Sequence, residues 1–347
     1  MTASVSGVRV KVLYLFAGPE RRGDIKQFLH ELSTSLQLDL EVTEIDTCRD
    51  AVNHDLLNSK AANECRARIA ESDILIVTPP CNTHSRAPWS NSFGPVPVRN
   101  ALYPRGFPWL AKALKVKADN ANELVDLAFE LLLQVDQQSI TRPCLGLMEH
   151  PEDLGRVHRD DPSSRPASTW QDSRALALVA TNRWQTVALH QRDFGASTVK
   201  PTRLLFNSQS CTALGYLGWP MFDQNERYIG PLPPASNEPG TSMMRRAGET
   251  GPFKTAKSAA YPPALCSAIA KGLLSGFISS MPSPRGEGST LQAAARGIEE
   301  TTNRPVKRSR DEQTKLSMHW NLHPPQIRKL MNQCRTSCSL YRPCDQT

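Results

Sequence analysis

VRVKVLYLFAG, residues 8–18, is an apolar run rich in β-branched residues that ends in a glycine. This pattern predicts a buried strand followed by a turn. The next segment, 24–36, carries apolar residues at helical spacing, and Asp24 stands where a helix N-cap is preferred. A strand followed directly by a helix begins the repeating unit of α/β proteins, so this stretch indicates that fold class.

The alternation of strands and helices continues to about residue 277. Further strands are predicted over 38–46, 72–80, 144–150, 184–191 and 201–206. Further helices are predicted over 61–71, 120–139, 173–182 and 262–277. Strands that alternate with helices at this spacing predict an α/β fold with a doubly wound, mostly parallel sheet.

Three segments fall outside this alternation. Residues 90–118 and 207–252 are rich in Pro, Gly, Asn and aromatic residues, which predicts two loop insertions in a domain spanning 8–278. Residues 279–347 are polar and basic, which predicts a mostly disordered tail. From Met281 onward the chain has eleven Lys and Arg against six Asp and Glu, so this part carries five of the net +7 charges. The folded part therefore has little of the positive charge that nucleic-acid binding favours.

Composition restricts the class and the compartment of the protein. With 39% hydrophobic and 22% charged residues, the chain is typical of soluble globular proteins. Nine scattered cysteines, an odd number, favour a reducing compartment over a disulfide framework. No apolar run is long enough to cross a bilayer, and residues 1–12 lack the pattern of a secretory signal. We therefore expect a monomer in the nucleus or cytoplasm, without a membrane partner.

Four predicted strand ends carry residues suited to a ligand site. In a doubly wound sheet, ligands bind outside the carboxyl ends of the strands at the topological switch point. Gly18 would let the backbone approach a ligand after the first strand, and Glu44 or Asp46 could hold ribose hydroxyls after the second. Cys81 follows two prolines after the third strand, and Glu149 lies at the end of the fourth.

Cys81 and Glu149 are the two candidates for reactive chemistry. A thiol at a strand end that faces a helix N-terminus has a lowered pKa and can act as a nucleophile. A carboxyl group on a neighbouring strand end could donate or accept a proton beside it. From periodicity alone, a half-exposed thiol and a salt-bridged surface acid are the simpler interpretations.

Short motifs in a fixed order resemble those of the DNA (cytosine-5)-methyltransferases. TPPCNTHS (78–85) is similar to that family's Pro-Pro-Cys-Gln-x-Phe-Ser motif, and YLFAG (14–18) to its Asp-Leu-Phe-x-Gly motif. Four further segments resemble later motifs of the family, namely VTEID (42–46), MEHP (148–151), DFGASTVKPTRLLF (193–206) and YPPALCSAIAKGL (261–273). The resemblance is closest to a divergent, mobile-element-associated group from fungal, algal and dinoflagellate genomes, and it covers about residues 8–277.

This resemblance implies a Rossmann-like, S-adenosylmethionine-dependent methyltransferase fold with a specific chemistry. Cys81 would attack carbon 6 of a cytosine in DNA while Glu149 holds ring nitrogen 3 protonated, and carbon 5 would take a methyl group from S-adenosylmethionine. Arg203 or Lys200 would support the pyrimidine or its phosphate. The resemblance assigns the cofactor to Phe16, Gly18, Glu44, Asp46 and Pro79. A base in duplex DNA would have to be flipped out of its stack, and the motifs do not distinguish DNA from RNA.

Departures from the family pattern keep two alternatives open. GPERRG (18–23) lacks the second glycine of the first motif, and Asn82 and His150 replace Gln and Asn. One alternative is a catalytically inactive, mobile-element-associated descendant of the same fold that at most binds nucleic acid. The other is an unrelated α/β enzyme that uses Cys81 on a small molecule.

The tail and the first insertion carry weaker signals. RPVKRSR (304–310) is either a nuclear-import or phosphate-contacting patch or a solvated charge run. Cys334, Cys338 and Cys344 do not have the spacing of a common zinc finger, so we predict no metal site. Five aromatic residues in and beside the first insertion predict either a minor core under a loop or rings that cover the cleft or stack a base: Trp89, Phe93, Tyr103, Phe107 and Trp109.

Overall fold

Strands and helices alternate along the chain as the sequence predicts. The computed structural model describes residues 7–89, 95–158, 160–235 and 259–282, together with Gly297. The strands of its main sheet are β1 (Arg9–Leu15), β2 (Asp39–Ile45), β3 (Ile74–Val77), β4 (Leu145–Pro151), β5 (Gln185–His190), β6 (Pro201–Phe206) and β7 (Tyr216–Leu217). The helices are α1 (Ile25–Ser35), α2 (Ser59–Ile69), α3 (Lys112–Gln138), α4 (Ser173–Ala180) and α5 (Pro263–Ser280). Apart from residues 279–282 and Gly297, the predicted tail lies outside the described residues.

The main sheet is mixed, with the strand order β2-β1-β3-β4-β6-β5-β7. The pairings β1–β2, β1–β3 and β3–β4 are parallel, whereas β6 is antiparallel to both β4 and β5, and β7 is antiparallel to β5. A parallel crossover needs about a dozen residues or more, and only 191–200 join β5 to β6. The expectation of a mostly parallel sheet therefore holds for the first four strands, and this short connection reverses β6.

The order of the first three strands creates a topological switch point. The chain passes from β1 to β2 on one side of β1 and then crosses to β3 on its other side. The connections that leave the carboxyl ends of β1 and β3 therefore run in opposite directions. They leave a crevice between them, and in open α/β sheets ligands bind in such a crevice. Both the glycine turn after β1 and the Pro-Pro-Cys segment after β3 start at this crevice.

Helices cover both faces of the sheet. On one face, α1 and α5 pack against residues such as Val12, Ile76 and Leu204. On the other face, α2, α3 and α4 pack against residues such as Leu13, Leu75 and Leu205. By length and composition α5 could cross a membrane, but 56% of it is buried in the protein, as in a core helix. The described part of the chain is thus a doubly covered α/β sheet.

Helix α1 begins where the sequence places its cap. The Asp24 side chain accepts a hydrogen bond from the Gln27 backbone N–H at 2.9 Å, and this bond satisfies one of the free donors at the helix start. Ile25 and Leu29 point into the core with 1% and 0% exposure. The cap therefore fixes the turn that separates β1 from α1.

Both predicted insertions contain regular secondary structure in their described parts. Helix α3 begins at Lys112 and not at residue 120, because Lys and Ala favour a helix over these first turns. Only Ala118 of these turns is buried, so they lack the apolar period from which a helix is predicted. The described part of the second insertion includes β7, which extends the main sheet, and a hairpin of β8 (Met221–Phe222) and β9 (Tyr228–Gly230). Its remaining residues, 236–252, lie outside the described part.

Candidate functional site

The loop after β3 carries Cys81 to the switch point. Thr78 donates its backbone N–H to the Leu15 carbonyl at 3.3 Å and its hydroxyl to the Phe16 carbonyl at 2.8 Å, which ties the exits of β1 and β3 together. Pro79 is buried, whereas Cys81 is half-buried. Pro79 has a fixed backbone φ, so the thiol is held at the rim of the crevice and does not pack into the core.

Glu149 reaches the same crevice from β4. It lies two residues after Leu147 on the strand, so both side chains point to the α1 and α5 face of the sheet. Its side chain is buried, with 6% of the residue exposed, and its charge contributes to raising the pKa of Cys81. Within the described residues, its Oε1 atom has no hydrogen-bond partner. Glu149 therefore lies close enough to Cys81 for its charge to act on the thiol.

Tyr261 was not among the residues predicted for the site. Its hydroxyl donates a 2.6 Å hydrogen bond to Glu149 Oε2, and burial raises the pKa of this phenol well above its ordinary value. The Thr78 hydroxyl interacts with the phenols of both Tyr261 and Tyr14. The segment YPPALC begins a predicted helix and resembles a family motif, but nothing in its local pattern shows a contact with a residue 112 positions away.

The environment of Cys81 does not produce the lowered pKa that we expected. Burial first and the charge of Glu149 second raise the thiol pKa, whereas Lys200 lowers it. The expectation relied on a helix N-terminus facing the thiol, but the loop continues only into a three-residue 3₁₀ helix, Ala87–Trp89. Lys200 is therefore the group that favours the thiolate, and its ammonium lies 5.1 Å from the centre of the Tyr261 ring.

Replacing Lys200 should make Cys81 less reactive. In Lys200→Met, loss of the positive charge should raise the pKa of Cys81 further, so its alkylation by iodoacetamide at neutral pH should slow. Peptide mass spectrometry can follow the modification of Cys81 separately from that of other cysteines. Lys112→Met, at the start of α3, is the control and should leave the rate unchanged. An unaltered rate in Lys200→Met would show that Lys200 does not influence the thiol.

Arg203 lies away from the thiol. It pairs with His150 across β6 and β4, so it points to the sheet face opposite Glu149. Its fully buried guanidinium is 2.9 Å from Glu152 Oε2 and donates to Thr186 Oγ1 at 2.8 Å and to the Gly218 carbonyl. Arg203 therefore faces away from Glu149, and its support of the pyrimidine stays a prediction. Lys200 is the cation that lowers the pKa of Cys81.

The turn after β1 and the end of β2 hold the predicted cofactor residues. Phe16 has a positive φ of 61° and donates its N–H to the Ile45 carbonyl at 2.7 Å. Gly18 has a φ of 74°, which favours glycine, and its N–H donates to Asp46 Oδ2 at 2.8 Å. Asp46 Oδ1 accepts from the Cys48 N–H at 2.7 Å. Asp46 thus closes the turn onto β2.

S-adenosylmethionine needs room over this turn and an acceptor for its ribose hydroxyls. Room is present, because apart from Gly18 and its two chain neighbours no described atom lies within 4 Å of where a Cβ on Gly18 would stand. The acceptor is engaged, since Glu44 Oε1 accepts from Arg49 Nη2 at 2.8 Å and Lys26 Nζ lies 3.1 Å from Oε2. Asp46 is engaged by backbone amides. The open space at the turn is compatible with the cofactor, whereas Glu44 is engaged by Arg49 and Lys26.

Arg99 supports the loop that carries Cys81. It is 1% exposed and donates to His84 Nε2 at 2.7 Å, to Asn122 Oδ1 at 2.7 Å and to the Ala118 carbonyl at 2.8 Å. Burial and the charge of Arg99 lower the pKa of His84, so this imidazole stays neutral and can accept the bond. His150, 5.8 Å from His84 between ring centres, has its pKa lowered to about 3 by burial. These contacts attach the loop to α3.

The aromatic residues of the first insertion form a separate cluster. Phe107 stacks on Trp109 with ring centres 5.1 Å apart, and Tyr103 meets both rings edge-on. A cavity of about 440 Å³ adjoins Phe107, and none of the predicted site residues lines it. Trp109 is 66% exposed, so the cluster only partly fits the prediction of a minor core. Phe93 lies outside the described residues.

Metal sites and known families give no further guide to function. In the described ranges, no group of three or more His, Cys, Asp or Glu side chains could hold a metal ion, and Cys334, Cys338 and Cys344 lie outside those ranges. No protein-family model matches the sequence, and no curated protein matches it either.

Proposed function

We propose that the chain is an S-adenosylmethionine-dependent methyltransferase-like protein that acts on carbon 5 of cytosine in DNA through Cys81. The observation that supports this most strongly is the meeting of a half-buried thiol with a buried carboxyl group at the switch point of the sheet. The carboxyl oxygen Oε1 has no partner among the described residues, so it can bond a ligand. A pyrimidine needs such a pair, one group for its ring carbon and one for its ring nitrogen.

The first chemical step uses Cys81 and Glu149 together. The Cys81 thiolate forms a bond to carbon 6 of cytosine, and the electrons displaced from the ring double bond collect over carbon 5 and nitrogen 3. Glu149 holds a proton at nitrogen 3 through Oε1, which neutralises the charge that develops there. Lys200 favours the thiolate before the attack. Burial raises the pKa of Cys81, so the thiol passes its proton to solvent as the thiolate forms.

The second step takes place at carbon 5. S-adenosylmethionine, when bound, supplies a methyl group to this electron-rich carbon. Water then takes the proton from carbon 5, the electrons of that bond re-form the double bond to carbon 6, and the sulfur of Cys81 leaves as a thiolate. Phe16, Gly18, Glu44, Asp46 and Pro79 are the residues that we propose to hold the cofactor, in a Rossmann-like methyltransferase fold. The α/β sheet and the open space at Gly18 support this assignment.

The decisive experiment is covalent trapping on a modified cytosine. In 5-fluorocytosine, carbon 5 carries fluorine in place of the proton that must be removed in the last step. Elimination is therefore blocked after methyl transfer, and Cys81 should stay bonded to carbon 6. We expect duplex DNA that contains 5-fluorocytosine to form a denaturation-resistant complex only when S-adenosylmethionine is present. RNA of the same sequence tests the alternative substrate. No complex with either nucleic acid would contradict the proposed activity.

A specific observation supports the inactive descendant as a second candidate. Arg49 and Lys26 neutralise Glu44, whose side chain is only 4% exposed, and this would prevent nucleoside binding if the contact is permanent. Such a protein would keep the sheet and the crevice but would bind neither S-adenosylmethionine nor its product. Titration calorimetry with S-adenosylhomocysteine separates the two candidates, because only the methyltransferase should release heat of binding.

Removing Arg49 should strengthen cofactor binding if Glu44 holds the ribose. Arg49→Met frees Glu44 Oε1, and one additional charged hydrogen bond to the nucleoside should lower the dissociation constant for S-adenosylhomocysteine about tenfold. The same titration measures this change. Arg9→Met is the control, since Arg9 pairs with Glu41 at the opposite end of the sheet. Weaker binding in Arg49→Met would show that Arg49 supports the site, either by contacting the ligand or by holding the Gly18 carbonyl, to which its Nε donates at 2.9 Å.

A further inference from the structure

Tyr261 fixes the orientation of the Glu149 carboxyl group. The phenol and the carboxyl are both buried, with 9% and 6% exposure, and only 2.6 Å separate the hydroxyl oxygen from Glu149 Oε2. A hydrogen bond to an ionised group is shorter and stronger than a neutral one, and this distance is in that range. The bond occupies Oε2 and leaves Oε1 as the oxygen without a partner in the described part of the chain.

Tyr261 is itself held from three sides. The Thr78 hydroxyl interacts with the phenol from the exit of β3, and the ammonium of Lys200 lies over its ring at 5.1 Å. Tyr261 is also followed by Pro262 and Pro263 at the start of α5, whose fixed φ angles limit backbone motion. These contacts come from segments far apart in sequence. These contacts hold the phenol where it donates to Glu149.

We propose that Tyr261 is a positioning residue that directs Oε1 of Glu149 toward the substrate and confines the carboxyl proton to that oxygen. The proposal rests on the proposed function, because it assigns Oε1 to ring nitrogen 3 of cytosine. The phenol stays protonated and donates to Oε2, so a proton on the carboxyl must reside on Oε1. The titratable groups that face Glu149 are Cys81, Tyr14 and Tyr261, and Lys200 is the cation beside two of them, Cys81 and Tyr261.

Tyr261→Phe tests this role, since it removes the hydroxyl and keeps the ring. A hydrogen bond donated to a carboxylate stabilises its ionised form. Loss of the Tyr261 hydroxyl should therefore move the titration of Glu149 to higher pH. Carbon-13 NMR of protein labelled at the Glu carboxyl follows this titration, and Glu149→Gln identifies the signal. In trapping, the maximal rate should fall about tenfold while the DNA concentration for half-maximal rate changes little.

Tyr228→Phe is the matched control. The Tyr228 hydroxyl accepts the Leu232 N–H at 2.8 Å in the hairpin segment, so its loss should leave the Glu149 titration unchanged. A Glu149 signal that titrates identically in wild type and Tyr261→Phe would overturn the proposal, whatever the activity. A shifted titration in a protein that traps no DNA would support the positioning role and contradict the proposed function.

Discussion

Cys81→Ser is expected to abolish covalent trapping of DNA that contains 5-fluorocytosine, and to reduce methyl transfer roughly 10³-fold or more. Serine keeps the size of the side chain, but its hydroxyl is a much weaker nucleophile than a thiolate toward carbon 6. Trapping is read as a band that survives denaturing electrophoresis, and transfer as radiolabel passed from S-adenosylmethionine to DNA. Cys81 is half-buried, so the substitution should change the melting temperature little.

The comparison variant for Cys81 is Cys48→Ser. Cys48 is an exposed thiol on the loop after β2, next to the cofactor residues but outside the crevice between Cys81 and Glu149. It should trap DNA as the wild type does, which shows that the loss in Cys81→Ser concerns one thiol and not thiols in general. Undiminished trapping in Cys81→Ser would show that Cys81 is not the nucleophile. It would also contradict the alternative of an unrelated α/β enzyme that uses Cys81 on a small molecule.

Arg203→Met is expected to lower the free energy of unfolding by about 3–5 kcal/mol. The side chains of Arg203 and Glu152 are both 0% exposed, so loss of the guanidinium leaves a buried carboxylate without its counter-ion. Burial raises the pKa of Glu152 from 4.5 to about 7 even with Arg203 present. Because the pKa of Glu152 is higher in the folded than in the unfolded protein, its contribution to stability is complete below pH about 4.5. This contribution is lost as the pH rises through about 7. The deficit measured by urea unfolding should therefore be larger at alkaline than at acidic pH.

A second substitution separates ion-pair loss from cavity formation. Adding Glu152→Leu to Arg203→Met removes the unpaired carboxylate, and the double variant should recover most of the lost stability. Arg9→Met breaks an ion pair whose side chains are 61% and 47% exposed, and it should cost less than about 1 kcal/mol. If Arg203→Met unfolds like the wild type yet loses trapping, Arg203 acts on the substrate, and the structural role assigned to it here is incorrect.

The elements of this fold follow from local sequence patterns. The β-branched run before Gly18, the cap at Asp24 and the apolar period of α1 are each determined by residues within one or two turns, so the sequence alone predicts them. The same holds for Cys81, since two prolines after a strand place a side chain at a loop whatever the rest of the chain does. The start of α3 was missed because its first turns are solvated and carry no apolar period.

Which side chains meet was decided by the tertiary structure. Strand alternation and register put Glu149 on the face of Tyr14 and Arg203 on the opposite one, and a single-residue difference in register would exchange them. The antiparallel direction of β6 and the phenol of Tyr261 against Glu149 depend on segments brought together only by folding. A local pattern fixes the conformation of a segment, whereas a contact depends on distances between distant segments. The sequence by itself therefore determined the strands, the helices and the candidate nucleophile, and only the folded chain determined the surroundings of that thiol.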